Sequence, residues 1–227
     1  MNSCKSLLFD LDGTLIDTWE DLKDAADFVL KNHGYRATDS VAARLKATDG
    51  MVALLSISMG SDISLFSTEQ LKKEFLDYYL QHIRIKSRLF PGMEEVLAKC
   101  RQLNIPWGIV TNKPAFLTRP LINAFADLSD CAVTVCGDQV KEKKPHGESL
   151  FTALKILHIK PQDTVYVGDH IRDIQCGNNA GTATAAAGWG YINHHNDINQ
   201  WPADFFCRSP LDLLDIITGK IPLPAKN

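Results

Sequence analysis

The sequence predicts an α/β protein, built as a doubly wound parallel sheet into which a helical domain is inserted. Two observations support this prediction. From residue 87 onward, helical periodicity alternates with short apolar runs typical of buried strands, which favours a parallel sheet with helices on both faces. Between residues 16 and 86, by contrast, apolar residues recur at helical spacing. We therefore predict a core domain over 1–15 and 87–227 and a helical cap domain over 16–86.

The first part of the chain begins with one strand and continues as helices. Ser6–Phe9 is short and apolar, which predicts a buried strand that ends at Asp10. Helices are predicted from a capping box at Thr18–Asp21 to a stop at Gly34, over Met51–Met59, and from a second capping box at Ser67–Gln70. No strand is indicated between residues 16 and 83.

The second part alternates helices with strands. The predicted helices are Met93–Leu103, Ala115–Phe125, Glu148–Leu157, Ile171–Ala180 and a closing helix over Leu211–Ile217. The predicted strands are Trp107–Val110, Ala132–Val135, Thr164–Val167 and Thr182–Ala187. The tail from Ile221 to Asn227 is expected to be frayed.

The composition excludes several functional classes. A formal net charge of −3, with 45% apolar and 22% charged residues, is typical of a globular protein and argues against extensive disorder. Lys and Arg form no dense cluster, so we expect no nucleic-acid partner. No signal peptide or membrane-length apolar run is visible, so we expect no membrane partner. Six cysteines without a CxxC pair favour a reduced, cytoplasmic setting.

Polar residues follow the predicted strands where each strand ends. Asp10–Thr14 follows the first strand, Thr111–Lys113 follows a second, and Gly168–Asp169 with Asp173 follows a third. Lys144–Pro145 precedes a helix that starts at the same edge. Because ligands of a doubly wound sheet bind at the carboxyl ends of its strands, these residues are expected to share one crevice.

Carboxylates that surround a phosphate group require a cation. Three or four carboxylates would repel a phosphate unless a divalent ion lay among them, and oxygen ligands favour Mg²⁺. Asp residues in place of His or Cys argue against zinc. The neighbouring pair His194 and His195 is interpreted as a solvated loop, because no third ligand is close in the sequence.

Four motifs resemble those of the haloacid dehalogenase superfamily. They are Asp10–Thr18 (DLDGTLIDT), Thr111–Asn112, Lys144–Pro145 and Gly168–Asp173, in that order and over nearly the whole chain. The resemblance implies a Rossmann-like core with a cap and a phosphatase that acts on a small phosphorylated metabolite through a phospho-aspartate.

The resemblance also implies a role for each motif residue. Asp10 is the nucleophile, and Asp12 protonates the leaving oxygen and later activates water. Gly13 lets the backbone approach the phosphate. The remaining roles are hydrogen bonds to phosphate from Thr111 and Asn112, and neutralisation of charge by Lys144, with Lys141 or Lys143 as alternatives. Mg²⁺ is expected to be held by the side chains of Asp10 and Asp169 and the backbone carbonyl of Asp12, with support from Asp173.

The branch of the superfamily is indicated less directly. Asp12 argues against the dehalogenases, which lack a second aspartate in this motif, and the helical insertion resembles the small cap of the phosphoglycolate phosphatase group. Trp107–Pro114, Gly188–Ile192 and Trp201–Asp204 resemble the N-acetylmuramic acid 6-phosphate phosphatases. Both branches share the catalytic motifs. Candidate selectivity residues in the cap are Arg44, Lys46, Thr48, Asp49 and Gly50.

Two other functions remain open at this point. A sugar-phosphate mutase would use the same two aspartates, and a non-catalytic metabolite-binding protein could retain the fold. The oligomeric state, monomer or homodimer, is not indicated by the sequence.

Overall fold

The structure is a computed structural model that describes residues 3–192 and 198–226. It divides into two compact units. The sheet unit comprises Met1–Ile16 and Leu89–Asn227, and the helical unit comprises Asp17–Arg88. The predictions for His194 and His195 lie outside the described residues, and so does the side chain of Thr48.

The sheet unit is built on six parallel strands, which confirms the predicted α/β class. The strands of this sheet are β1 (Ser6–Phe9), β4 (Trp107–Val110), β5 (Val133–Val135), β6 (Thr164–Gly168), β7 (Ala183–Ala187) and β8 (Phe205–Cys207). Two short strands, β2 (Ile16–Asp17) and β3 (Arg88–Leu89), form a separate pair. The spatial order is β5-β4-β1-β6-β7-β8, and each neighbouring pair is parallel.

Helices surround this sheet and make up most of the helical unit. They are α1 (Trp19–Asn32), α2 (Ser40–Arg44), α3 (Met51–Met59), α4 (Thr68–Gln81), α5 (Met93–Leu103), α6 (Ala115–Asn123), α7 (Glu148–Leu157), α8 (Ile171–Ala180) and α9 (Leu213–Ile217). Across residues 3–192 and 198–226, every helix is too short or too polar to cross a bilayer.

The two central strands lie in the core of the sheet unit and fix the position of its functional edge. Leu7, Leu8 and Phe9 of β1 are fully buried, as are the corresponding apolar residues of β6. Phe9 pairs in register with Ile109 on one side and Val167 on the other. The residues that follow β1, β4 and β6 therefore emerge side by side at one edge.

One predicted capping box is wrong. Helix α1 begins directly after Thr18, but the Thr18 side chain makes no capping hydrogen bond. Its intended partner, Asp21, is buried and accepts hydrogen bonds from Lys86 N at 2.9 Å, Ser87 N at 2.9 Å and Ser87 Oγ at 2.5 Å. Asp21 thus ties α1 to the segment that leads into β3. The second capping residue, Ser67, does accept a hydrogen bond, from Gln70 N at 3.4 Å.

Three short strands were not predicted. β2 and β3 pair with each other, and β2 lies at the start of the stretch 16–83 for which no strand is predicted. β8 is the last strand at one edge of the main sheet. Runs of two or three residues are too short to show the alternation of a strand. Their pairing is decided by the partner strand rather than by local sequence.

The predicted frayed tail is also wrong. Leu223 is buried, and Lys226 Nζ lies 2.7 Å from Asp204 Oδ2 and 3.1 Å from Asn178 Oδ1. The Asp204 carboxylate accepts a further hydrogen bond from Thr184 N of β7. The C-terminal segment is therefore fastened to the sheet near β7 and β8.

Candidate active site

Backbone pairing places the predicted site residues at one edge of the sheet. Asp10 N donates to Val167 O at 2.9 Å, and Thr111 N donates to Val135 O at 3.0 Å, so the sheet pairing extends one residue past each strand. Asp169 follows β6 directly, and Asp173 lies in the first turn of α8. Short buried strands with a fixed register thus bring together groups that are far apart in the sequence.

Three buried carboxylates converge at this edge. One oxygen each from Asp10, Asp169 and Asp173 lies within 4.8 Å of the others, and all three side chains are buried. Asp12, a second acid of the first motif, is oriented differently. Its carboxylate pairs with Lys113 Nζ at 2.9 and 3.2 Å.

Lys144 supplies the positive charge for this cluster. Its Nζ lies 2.8 Å from Asp10 Oδ1 and 2.7 Å from Asp173 Oδ1, and the side chain is 1% exposed. Burial lowers the pKa of Lys144, but the Asp10 and Asp173 carboxylates outweigh burial, so the pKa is raised and the amine stays charged. Lys141 and Lys143, the sequence alternatives, are exposed.

The lysine is itself held by three groups. Its Nζ donates to Tyr166 Oη at 3.0 Å and to Val110 O at 3.2 Å. Its backbone is fixed by the Asn112 amide, whose Oδ1 accepts from Lys144 N at 3.0 Å and whose Nδ2 donates to Lys144 O at 3.2 Å. The Asn112 side chain therefore positions Lys144, a role that the sequence did not predict.

The carboxylates carry more negative charge than one lysine neutralises. Burial, opposed by Lys144 and reinforced by Asp173, raises the pKa of Asp10. Burial and the charges of Asp10 and Asp173 raise the pKa of Asp169 to about 8, even though Asp169 accepts hydrogen bonds at both oxygens. The cluster therefore favours an additional positive charge.

A divalent cation fits this arrangement. Asp10 Oδ1 is buried and shares Lys144 Nζ, 2.8 Å away, with Asp173 Oδ1 at 2.7 Å. One ammonium group is thus shared by two buried carboxylates, which leaves negative charge for a hard cation to offset. The donor set consists of oxygen atoms, which suits Mg²⁺ better than zinc.

Close packing explains why glycine occupies position 13. Gly13 adopts a φ of +85°, and a Cβ there would lie 2.3 Å from Asp169 Oδ2. A side chain would therefore displace the carboxylate. In the second motif, Thr111 is buried, and its Oγ1 accepts a hydrogen bond from Lys113 N at 3.1 Å.

Several residues of this site were missed from the sequence. Lys113 follows a predicted strand, but no role is predicted for it. Tyr166 lies within a predicted buried strand, where the sequence does not distinguish it from a packing residue. Trp189 and Tyr191 lie in the segment Gly188–Ile192, for which no catalytic role is predicted, yet Trp189 Nε1 donates to Thr14 O and Tyr191 N donates to Asp169 Oδ2, both at 2.9 Å. Only the position of Lys113 beside a motif offered a signal.

The predicted selectivity residues lie in the helical unit. Arg44 Nη2 lies 3.8 Å from the carboxylate of Asp17, and Lys46 Nζ lies 3.2 Å from Asp49 Oδ2. Gly50 precedes α3 with a φ of +91° and has open space where a Cβ would be. The two cations of this set, Arg44 and Lys46, thus each lie near an acidic side chain.

Comparison with known proteins defines the class. Residues 7–187 match the family of haloacid dehalogenase-like hydrolases, and the chain belongs to that family. The predicted phosphatase is confirmed at this level, because the curated relatives with which it aligns over most of its length are phosphatases.

Three similar proteins are phosphatases by name. The chain is 37% identical to an N-acetylmuramic acid 6-phosphate phosphatase of Pseudomonas putida, over 96% of this chain and 97% of the relative. It is 35% identical to a phosphoglycolate phosphatase of Xylella fastidiosa, over 91% and 90% of the two chains. A crystal structure described as a predicted phosphoglycolate phosphatase from Haemophilus somnus superposes with a TM-score of 0.85 at 25% identity, and covers 95% of this chain and 99% of that one.

Proposed function

We propose that this protein is a Mg²⁺-dependent phosphatase that hydrolyses a small phosphomonoester through a phospho-aspartate on Asp10. The observation that carries the proposal is the buried cluster of Asp10, Asp169 and Asp173, of which Asp10 and Asp173 share the charged Lys144. Mg²⁺, when bound by Asp10, Asp169 and the Asp12 carbonyl with support from Asp173, would offset the charge of the phosphate.

The reaction needs a nucleophile and a proton donor, and the first motif supplies both. The Asp10 carboxylate attacks phosphorus, the ester P–O bond breaks, and the leaving oxygen takes a proton from Asp12. Asp12 then removes a proton from water, which attacks the phosphoryl group, releases inorganic phosphate and regenerates Asp10. Lys144, together with hydrogen bonds from Thr111 and Asn112 to the phosphate, stabilises the charge on the transferring group.

Two isosteric variants separate the chemical steps. Asp10→Asn removes the nucleophile and should abolish both phosphate release and protein labelling. Asp12→Asn retains the nucleophile, so a phenyl phosphate with a good leaving group should phosphorylate the protein, which then accumulates because water is not activated. Acid quench followed by intact-mass measurement detects the added phosphoryl group. Turnover in Asp10→Asn, or labelling of Asp10→Asn equal to that of Asp12→Asn, would refute the mechanism.

For the substrate, we propose N-acetylmuramic acid 6-phosphate, with 2-phosphoglycolate as the second candidate. Support for the first comes from relatives of that name at 37% and 35% identity. The resemblance of Gly188–Ile192 and Trp201–Asp204 to that group, inferred from the sequence, points the same way. Support for the second comes from the relatives named phosphoglycolate phosphatase at up to 35% identity. The test is Mg²⁺-dependent phosphate release from each compound, compared as kcat/KM. A preference for phosphoglycolate would reverse the assignment.

The same assays address the two remaining alternatives. Isomerisation of a sugar phosphate that depends on a sugar bisphosphate, with little phosphate release, would favour a mutase. Tight binding of a phosphorylated metabolite without turnover would favour a binding protein. The presence of both Asp10 and Asp12 argues against a binder, since binding requires no proton donor.

We also propose that the helical unit is a cap that selects the substrate through residues 44–50. Arg44→Met should raise KM more for the larger sugar phosphate than for phosphoglycolate. Lys72→Met, which removes an exposed cation from α4, is the matched control. Equal effects of the two variants, or an equal effect of Arg44→Met on both substrates, would exclude Arg44 as a selectivity residue.

A further inference from the structure

The segment Trp189–Tyr191, which follows β7, holds the carboxylate of Asp169 from two sides. Tyr191 N donates directly to Asp169 Oδ2 at 2.9 Å. Asp169 Oδ1 accepts from Thr14 Oγ1 at 2.9 Å, and the carbonyl of Thr14 accepts from Trp189 Nε1 at 2.9 Å. One oxygen is therefore fixed by the backbone of the segment, and the other by a residue that the segment holds.

Gly190 brings the backbone of this segment against the same carboxylate. A Cβ on Gly190 would lie 2.2 Å from Asp169 Cβ and 2.5 Å from Gly13 O. A Cβ on Gly13 would lie 2.3 Å from Asp169 Oδ2 and 2.9 Å from the Tyr191 ring. Two glycine backbones thus lie against the Asp169 side chain, and neither can accept a side chain without displacing it.

We propose that Trp189–Tyr191 is a positioning element that holds Asp169 in the orientation required to bind the divalent cation. The inference rests on the metal site of the proposed function. Hydrogen-bond partners that orient a metal ligand fix its geometry, and their loss weakens metal affinity by about 10- to 100-fold. Packing alone would predict a different outcome, in which changes to the segment lower stability but leave the metal affinity of the folded protein unchanged.

Three variants distinguish these outcomes. Gly190→Ala places a methyl group against Asp169. Trp189→Phe keeps an aromatic ring and removes the hydrogen bond to Thr14. Gly188→Ala is the control, because its Cβ would lie 2.8 Å from Cys207 O and 2.9 Å from the Phe206 ring, a milder clash that is directed at β8 instead of Asp169.

The measurement is the binding of Mn²⁺, which favours the same oxygen ligands as Mg²⁺. Mn²⁺ is titrated into each full-length, folded protein, and the EPR signal of the free ion gives Kd. The Tm without metal is recorded in parallel. We expect Mn²⁺ binding about tenfold weaker or more in Gly190→Ala. Trp189→Phe should lose about two- to tenfold, since one neutral hydrogen bond is removed. Gly188→Ala should lower Tm and keep the wild-type Kd.

Other results would refute the positioning role of the segment, its specificity for Asp169, or the metal site itself. If Gly190→Ala and Trp189→Phe bind Mn²⁺ as the wild type does, the segment is only packing. If Gly188→Ala weakens binding as much as Gly190→Ala, the effect is not specific to Asp169. If Gly190→Ala fails to fold, Trp189→Phe decides alone. If the wild type binds no Mn²⁺, the metal site of the proposed function is wrong and the inference falls with it.

Discussion

Replacement of Lys144 by Met tests the electrostatics of the site. The lysine side chain is 1% exposed and lies within 2.8 Å of Asp10 and 2.7 Å of Asp173. Methionine has a similar volume but no charge, so the variant leaves the buried carboxylates without a cation. Removal of one partner from a buried ion pair costs about 3–5 kcal/mol, because the other charge remains buried. At about 2–4 °C per kcal/mol for a chain of this size, the Tm should fall by about 6–20 °C.

The loss should depend on pH and on metal. Without Lys144, protons or Mg²⁺ are the remaining means of neutralising Asp10, Asp169 and Asp173. The deficit relative to the wild type should therefore be largest in EDTA at alkaline pH and should shrink on acidification or on addition of Mg²⁺. Differential scanning calorimetry under these conditions measures each part.

The control for this experiment is Lys143→Met, which removes an exposed lysine one residue away. Surface substitutions of this kind usually change stability by about 0.5 kcal/mol or less. Equal Tm values for Lys144→Met and Lys143→Met in EDTA would refute the conclusion that Lys144 balances the cluster. A deficit that does not respond to acid or Mg²⁺ would mean that lost packing, rather than unpaired charge, causes the destabilisation.

Three further predictions concern Asp169, Lys113 and Asp21. The pKa of Asp169 is raised from 3.8 to about 8, so between these pH values the metal-free native protein binds a proton that the unfolded chain releases. The stability that this proton contributes is fully present below pH 3.8 and is lost as the pH rises to about 8. Mg²⁺ competes with that proton, so the Tm gain from Mg²⁺ should increase with pH. Lys113→Met should lower kcat about tenfold for an alkyl phosphate, and less for an aryl phosphate, because Asp12 loses the partner that orients it. Asp21→Ala should cost about 3 kcal/mol in urea unfolding, since the hydrogen bonds to the segment before β3 are lost.

A specific experimental result would contradict each of these three predictions. A Tm gain from Mg²⁺ that is constant or falls with pH would contradict the raised pKa of Asp169. Equal losses of kcat on both substrate types would mean that Lys113 does not act through the proton donor. For Asp21, the control is Asp24→Ala, which removes a partly exposed acid that pairs with Lys86 at 2.7 Å. Equal losses from Asp21→Ala and Asp24→Ala would show that the three hydrogen bonds contribute little.

The sequence predicted the regular elements well because they depend on local periodicity. Helices Met93–Leu103, Glu148–Leu157 and Ile171–Ala180 have the predicted bounds, and so does strand Trp107–Val110. β8 escaped prediction because three residues carry too little pattern, and the tail was misjudged because its anchor, Asp204, lies elsewhere in the chain. The pattern at Thr18–Asp21 predicted the start of α1 but not the partners of Asp21, which lie more than sixty residues away.

The sequence by itself determined which residues lie at the functional edge. In a parallel sheet the carboxyl ends of neighbouring strands share one edge, so Asp10, Thr111 and Asp169 were expected together from strand order and motif alone. Tertiary structure decided how the side chains are used. It placed Lys144 rather than Lys141 against the carboxylates and turned the Asn112 amide onto the lysine backbone.

Tertiary structure also recruited Trp189–Tyr191 to hold Asp169. The physical reason is the range of the interactions. Helix and strand periodicity depends on residues a few positions apart in the sequence. Burial, charge balance and hydrogen bonding at the site depend on groups that distant strands bring together.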